Sequence, residues 1–121
     1  MKIYIGHSTE LNFKEELYLP IRESQLNSEY EIILPHEASD FVTKDTIKTC
    51  DVMVADVSFP STGLGIELGW ANSFGCPIIC IYRKGSKISG SLKVVCNDFI
   101  EYTDKGDLIK KLSSALLVFW D

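Results

Sequence analysis

Glu67 is the residue in this 121-residue chain whose surroundings most favour chemistry. It stands in Gly63-Leu64-Gly65-Ile66-Glu67-Leu68-Gly69, directly after the turn-forming run Ser58-Phe59-Pro60-Ser61-Thr62. Ahead of the turn lies Val52-Met53-Val54-Ala55, an apolar stretch suited to a strand covered on both faces, with Asp56 at its carboxyl end. From about Leu64, the spacing of Leu64, Leu68 and Ala71 fits one helical face. Glu67 is then expected in the first helical turn, where unpaired amides and the helix dipole stabilise a carboxylate. An ionised carboxylate held at a strand-to-helix loop can act as a nucleophile. The plain alternative is a first-turn acid that only caps its own helix. The glycines weigh against that alternative. Glycine inside a helix costs about 1 kcal/mol relative to alanine, so Gly65 and Gly69 imply close approach by a ligand or by neighbouring backbone.

The rest of the chain supplies elements able to position this unit. Lys2 to Ile5 reads as a strand, followed by the loop Gly6-His7-Ser8-Thr9. Asn12 with Glu15 has the logic of a capping box, and Phe13, Leu17, Leu19 and Ile21 suggest a helix through about Gln25, interrupted by Pro20. Glu31 to Leu34 is a second strand and Thr43 to Cys50 a short helix. Pro77 to Tyr82 and Phe99 to Tyr102 are further strands, with Val94-Val95-Cys96 either a minor strand or loop. Lys105 to Phe119 closes as a helix with Leu108, Ile109, Leu112 and Leu116 on one face. Alternating strands and helices imply a single α/β domain spanning 1–121: a flavodoxin-like, doubly wound sheet of about five parallel strands. With strand order 2-1-3-4-5, the topological switch falls between the first and third strands. The loops Gly6 to Thr9 and Asp56 to Gly65 then share one crevice.

The residues Asp51, Ala55-Asp56, Pro60-Ser61 and Gly63-x-Gly65-x-Glu67-Leu68-Gly69-x-Ala71 resemble the nucleoside 2-deoxyribosyltransferase superfamily, which includes the 2′-deoxynucleoside 5′-phosphate N-hydrolases. The likeness is close over 51–71 and looser elsewhere. It implies cleavage of the N-glycosidic bond of a 2′-deoxynucleoside or its 5′-monophosphate, by transfer or hydrolysis, with Glu67 as the nucleophile at C1′. It places Ser61 at the 5′ end of the sugar and Tyr4 and Ser8 around the first loop. An aspartate ahead of the central strand serves the departing base, with Asp45 the nearest candidate and Asp40 another. The resemblance also implies a homodimer or larger homo-oligomer, with active sites completed across subunits.

Each of these residues also has a plainer reading. Asp56, like Asp45, is expected to assist Glu67 in catalysis by contacting the sugar or base; its plainer reading is a cap on the turn that follows it. Ser61 either binds the 5′ oxygen or stabilises the turn. Asp45 and Asp40 can be surface acids. The N-hydrolases carry a glycine- and arginine-bearing first loop, whereas this chain has His7-Ser8-Thr9-Glu10-Leu11-Asn12. Without a bidentate arginine there, a 5′-phosphate is expected to give little advantage over the free nucleoside. His7 is either a donor near the crevice or an exposed loop residue. Gly6, Gly63 and Gly65 complete the substrate-binding candidates. Arg83, Lys84 and Lys87 read as a solvated basic turn, and Trp70 and Trp120 as core or subunit contacts.

Composition bounds the partners. The net charge is −5 with scattered basic residues, which argues against a nucleic-acid polymer but not against a single nucleotide. No signal peptide and no membrane-crossing run is visible, so a cytoplasmic setting is expected. Cys50, Cys76, Cys80 and Cys96 form no CxxC pair and are expected to stay reduced, Cys80 within the core. No metal or other cofactor is required by the proposed chemistry. Two rivals stand: a nucleotide-binding or signalling module without turnover, favoured by the altered first loop, and a flavodoxin-like FMN carrier.

Overall fold

The computed structural model describes residues 1–37 and 44–120. Five parallel strands form one sheet: β1 (Lys2–His7), β2 (Glu31–Ile33), β3 (Val52–Asp56), β4 (Ile78–Arg83) and β5 (Asp98–Tyr102). Their order is β2-β1-β3-β4-β5, as expected. The helices are α1 (Leu19–Arg22), α2 (Leu26–Glu29), α3 (Lys44–Lys48), α4 (Thr62–Ser73) and α5 (Lys105–Trp120).

The period-two alternation of the strands sorts the core into two layers. Ile3, Ile5, Val52, Val54, Ile79 and Ile81 face α1, α2 and α5, meeting Leu17, Ile21, Leu26, Leu108, Leu112 and Leu116. Tyr4, Met53, Ala55, Ile78 and Cys80 face α3 and α4, meeting Ile47, Leu64, Leu68 and Ala71. β1 and β3 pair with Gly6 opposite Ala55 and His7 opposite Asp56. The loops after these two strands therefore leave the sheet side by side at the switch point, where the sequence put the crevice.

The first helical segment departs from expectation. Instead of one helix capped by Asn12, a π-helical turn (Lys14–Tyr18) runs into the single turn α1, and α2 follows. Asn12 contributes only its backbone carbonyl, which accepts from the Glu16 amide at 3.0 Å. Pro20 accounts for the change of pitch. It has no amide to donate four residues back, so the chain takes the wider turn first, with the Leu19 amide bonded to the Lys14 carbonyl. Proline then falls at the start of α1, where no donor is needed. The stretch around Val94 forms a 3-10 turn (Gly90–Val94) rather than a strand. Asp40 and Thr43 lie outside the described residues, as does the side chain of Trp120; Trp70 is half-buried against the α4 layer.

Candidate active site

The helix carrying Glu67 starts earlier than its apolar spacing suggests. Ser61 is the N-cap, in an extended conformation, and its Oγ accepts from the Leu64 amide at 3.3 Å. Thr62 is the first helical residue, so Glu67 is the sixth, and the first turn of α4 contains no acid. This corrects the expected first-turn placement and removes the capping role with it, since the dipole effect fades beyond the first turn. Ser61, by contrast, does stabilise the turn.

Glu67 is aimed across the α4 layer at β1. Its Oε2 accepts from the Tyr4 hydroxyl at 2.9 Å. Tyr4 is fully buried, so this donor is fixed in place by packing on every side. Gly6, two residues along the same strand face, lies beneath the other carboxylate oxygen. A Cβ at Gly6 would stand 2.7 Å from Met53 Cε, 2.9 Å from Leu64 Cδ1 and 3.5 Å from Glu67 Oε1. Only glycine fits there without displacing these side chains. Among the described residues no donor reaches Oε1.

Burial pushes the Glu67 carboxyl above its ordinary value, and the Tyr4 hydrogen bond offsets part of that rise. Tyr4 is raised far more, first by burial and then by the facing carboxylate. It keeps its proton throughout the physiological range and stays a donor. The pair thus presents one anchored oxygen and one with no donor among the described residues, with the charge poorly solvated. A carboxylate in that state can attack an electrophilic carbon or stabilise an adjacent cation.

Asp56 belongs to the opposite layer. Alternation along β3 directs it to the face of Val52 and Val54, away from Glu67. It is 1% exposed. Oδ1 accepts from the Ser58 amide at 3.0 Å and Oδ2 from the Tyr102 hydroxyl at 2.5 Å. Ser58 Oγ in turn accepts from the Arg83 amide at 2.9 Å. Of the two readings of Asp56, this geometry is the turn cap.

His7 fits neither of its expected descriptions. It is buried at the end of β1, stacked on Phe13 with ring centroids 4.5 Å apart. The Ser8 carbonyl can only accept, so Nδ1–H donates to it at 2.9 Å, and Nε2 of the neutral ring accepts from the Tyr18 hydroxyl at 2.6 Å, which itself accepts from the His36 amide at 3.1 Å. Burial pushes the imidazole below its ordinary value. Both ring nitrogens are committed within the fold. Ser8 is buried too, its Oγ accepting from the Glu10 amide at 3.1 Å. Asp45 is exposed in the first turn of α3, and no described contact joins it to Glu67 or Tyr4. Arg83 forms an ion pair with Glu16 on the Asp56 side.

Gly63 and Gly65 are exposed. A Cβ at Gly63 would meet only Ser61 Oγ, at 3.9 Å, and one at Gly65 nothing within 4 Å. Close packing by the chain's own backbone is therefore not what these glycines serve. An apolar cavity of about 300 Å³ opens beside them, walled by Ser61, Leu64, Gly65, Leu68, Ser89 and Leu92 among others. Glu67, Tyr4 and Gly6 are not part of its lining. The polar side chains of its lining are the hydroxyls of Ser61, Ser89 and Ser91.

The partners Tyr18 and Tyr102 escaped the sequence reading, because each meets its residue only through the tertiary fold. Tyr4 was singled out by resemblance alone, and its role as the donor to Glu67 had no local signal. Among the described residues no group of three or more His, Cys, Asp or Glu could hold a metal ion, and no helix is long and apolar enough to cross a membrane.

The sheet order and the βα arrangement define a 2-deoxyribosyltransferase-like α/β domain. The fold is shared with the CMP N-glycosidase of Clostridium botulinum, at TM-score 0.66 and 24% identity over 93% of this chain and 99% of that one. It is shared also with the 2-deoxyribosyltransferase of Bacillus psychrosaccharolyticus, at TM-score 0.61 and 19% identity over 89% and 90%. In sequence, the chain is 48% identical over 40 residues to the 5-hydroxymethyl-dUMP N-hydrolase of Mus musculus, a match covering 33% of this chain and 23% of that protein. No protein-family model matches the chain. An N-hydrolase by sequence, and an N-glycosidase and a deoxyribosyltransferase by fold, fit the nucleoside 2-deoxyribosyltransferase superfamily that residues 51–71 resemble.

Proposed function

We propose that this chain cleaves the N-glycosidic bond of a 2′-deoxynucleoside or its 5′-monophosphate through a glycosyl-enzyme on Glu67. The observation that carries the reading is the Glu67–Tyr4 pair: a desolvated carboxylate, one oxygen anchored by a permanent donor, the other lying over Gly6 with no donor among the described residues. Attack at C1′ passes through an oxocarbenium-like state, which the facing carboxylate stabilises before closing on it as an ester. The base leaves with the bonding electron pair and must be protonated. That acid is assigned to an aspartate ahead of β3, Asp45 on α3 or Asp40. Water or a second base then takes the sugar from Glu67 and restores the carboxylate.

Ser61 and the N-terminal amides of α4 are assigned to the 5′ end, with Gly63 and Gly65 leaving room for close approach. Asp56 acts in this reading as an anchor for the loop leading to Ser61, and His7 and Ser8 as fixed walls of the first loop. The names of the mouse relative and the clostridial neighbour both specify nucleotides. The absence of arginine from the first loop pulls the other way, toward free nucleosides. A homodimer or larger assembly is part of the proposal, and light scattering at micromolar concentration tests it.

The decisive experiment incubates the protein with deoxynucleosides, deoxynucleoside monophosphates and ribonucleotides, with and without an acceptor base, and follows free base by chromatography. Release of base by the wild type and its loss in Glu67→Gln support the reading. A slow 2′-fluoro substrate should add the mass of the sugar to the peptide containing Glu67. Base release that survives in the glutamine variant removes Glu67 from the mechanism. Bound nucleotide without any release of base favours the binding-module reading.

A further inference from the structure

The sheet has two edges, and a basic side chain from a helical segment reaches across each. Among the described residues β5 is outermost on one side and β2 on the other. In a parallel ladder, alternate residues point both backbone groups at one neighbour and the residues between them point the opposite way. The Tyr102 carbonyl accepts from the Lys84 amide at the end of β4, at 2.8 Å, so Tyr102, Ile100 and Asp98 face β4. Phe99 and Glu101 therefore turn their amides and carbonyls outward. The Glu101 carbonyl accepts from Lys111 Nζ at 2.6 Å. Lys111 is held over the edge by Asp107, one turn earlier on α5, at 3.2 Å. Asp107 in turn accepts from the Thr103 amide just past β5, at 2.9 Å. On the other edge, the Glu31 amide donates to the Met1 carbonyl ahead of β1, so Ile32 faces outward. Its carbonyl accepts from Arg22 Nη2 at 3.1 Å, and Arg22 is anchored by both Glu37 oxygens, at 2.6 and 3.0 Å. Two separate helices thus place the same kind of group, a cation tethered by an acid, on the outward carbonyl of an edge strand.

The β5 edge is complementary to itself. With the β5 of a second copy laid antiparallel across a two-fold axis at Ile100, Phe99 of one copy faces Glu101 of the other. Each such pair exchanges both backbone hydrogen bonds, and the axis generates the pair twice. Ile100 then meets its own copy on the α5 side of the sheet, where Ile100, Ala115 and Val118 line a mostly apolar groove of about 410 Å³. Val118 there is 75% exposed. Half of the bonds in this pairing need the Glu101 carbonyl, which Lys111 occupies. We propose that Lys111 is a guard on this edge, keeping β5 from pairing with the β5 of a second copy and so keeping the sheet at five strands. The guard acts in two ways. Its ammonium takes the outward carbonyl that the incoming strand requires, and an incoming strand would have to strip water from its charge. The homodimer or larger assembly of the proposed function then uses another surface of the chain.

The test compares Lys111→Met, which keeps the apolar stem but loses the donor and the charge, with the wild type and with Lys111→Arg, which keeps both. Lys111 is exposed, so these substitutions leave the core intact, and near-UV circular dichroism checks the fold. Light scattering from micromolar to millimolar concentration should show the mass of Lys111→Met rising to about twice that of the wild type at the same concentration. The wild type and Lys111→Arg should share one mass. Amide exchange at Phe99 and Glu101 should slow as Lys111→Met is concentrated and stay unchanged in the wild type. Adding Glu101→Pro should return Lys111→Met to the wild-type mass, because proline removes an outward amide that the ladder to β4 does not use. The proposal is overturned if Lys111→Met keeps the wild-type mass throughout. It is equally overturned if the extra mass survives Glu101→Pro, which puts the contact elsewhere, or if the wild type itself protects these two amides on concentration. These outcomes are read from mass and exchange alone, so they are independent of whether Glu67 cleaves a glycosidic bond.

Discussion

Glu67 and Asp56 stand eleven positions apart in one strand-loop-helix unit and meet opposite fates. Asp56 has both oxygens occupied, by the Ser58 amide and the Tyr102 hydroxyl, and is sealed in the layer of α1 and α5. Glu67 has one oxygen occupied, by Tyr4, and the other above a glycine with no donor among the described residues, in the layer of α3 and α4. Each has a buried tyrosine as its partner, so the tyrosine is not what separates them. The difference is the second oxygen. A carboxylate with every lone pair matched to a donor holds a loop in shape, whereas one with a spare oxygen keeps reactivity in hand.

The sharpest way to break this contrast is to neutralise each acid in turn. Glu67→Gln should reduce base release by about 10³-fold or more, since the amide neither attacks nor stabilises the cation. Asp56→Asn should keep turnover within about tenfold while losing about 1–3 kcal/mol of stability, because an amide NH₂ must now face the Ser58 amide or Tyr102. Chromatographic rates beside thermal melts decide between these outcomes. Equal losses of turnover at both positions would erase the distinction.

Removing the tyrosine hydroxyls gives the next largest effect. Tyr4→Phe keeps the ring in its packed place and should slow turnover by about 10- to 100-fold, the range set by one hydrogen bond to a charged group. That bond also restrains the Glu67 pKa, so the acid limb of the pH–rate profile should move to higher pH in the variant. Tyr102→Phe should lower the melting temperature and leave that limb where it was. A limb that moves in both variants, or in neither, would show that the two networks are not separate.

Gly6→Ala probes the spacing between Tyr4 and Glu67. The added Cβ must displace Met53 Cε, Leu64 Cδ1 or both, at a cost of about 1–3 kcal/mol. Turnover should fall with it as Leu64, on the same helix as Glu67, is pushed away. Gly65→Ala, with open space at its Cβ, should leave the melting temperature unchanged or slightly raised. Loss of substrate affinity in that stable variant would place the ligand against α4.

The smallest effect is on stability and carries a definite sign. The folded-state pKa of Glu67 is raised above its ordinary 4.5. Below that ordinary value the residue is protonated in both the folded and the unfolded chain and costs nothing. As pH rises through the raised pKa, the folded state must carry a charge that burial disfavours, and stability is lost. Glu67→Gln has no such loss. It should melt a few degrees above the wild type at neutral pH, with the gap closing in acid, as calorimetry across pH would show. A glutamine variant less stable than the wild type at neutral pH would mean that the Glu67 charge is held by a donor yet to be found.

The strands and their order were legible because parallel strands buried on both faces leave unmistakable apolar runs, as Val52 to Ala55 and Pro77 to Tyr82 do. The location of the crevice followed from topology alone. The start of α4 was misread because Thr62 and Gly63 are poor helix formers, and Ser61 overrides them by capping. That shift moved Glu67 from a dipole-stabilised place to a desolvated one and reversed the electrostatic argument. The side on which Asp56 and His7 fall was already present in strand parity: each is an even number of positions from an inward residue of the α5 layer, Val54 and Ile5. Their tyrosine partners were not legible, because Tyr18 and Tyr102 arrive from separate elements and a single chain shows no pairing.

The π-helical turn at Lys14–Tyr18 has a consequence for how this domain tolerates length changes. A π turn holds one more residue than an α turn over the same rise, so the segment behaves as an α-helix with a single residue spliced in. Excising one residue there would let the helix relax to ordinary pitch and swing each side chain on one side of the cut by about 100° relative to those on the other. Leu17 and Tyr18 could then no longer share the core with Ile21, and Glu16 would leave Arg83. A deletion that improves local helix geometry would thus unseat the support beneath His7, which makes the length of this stretch as much a part of the design as its composition.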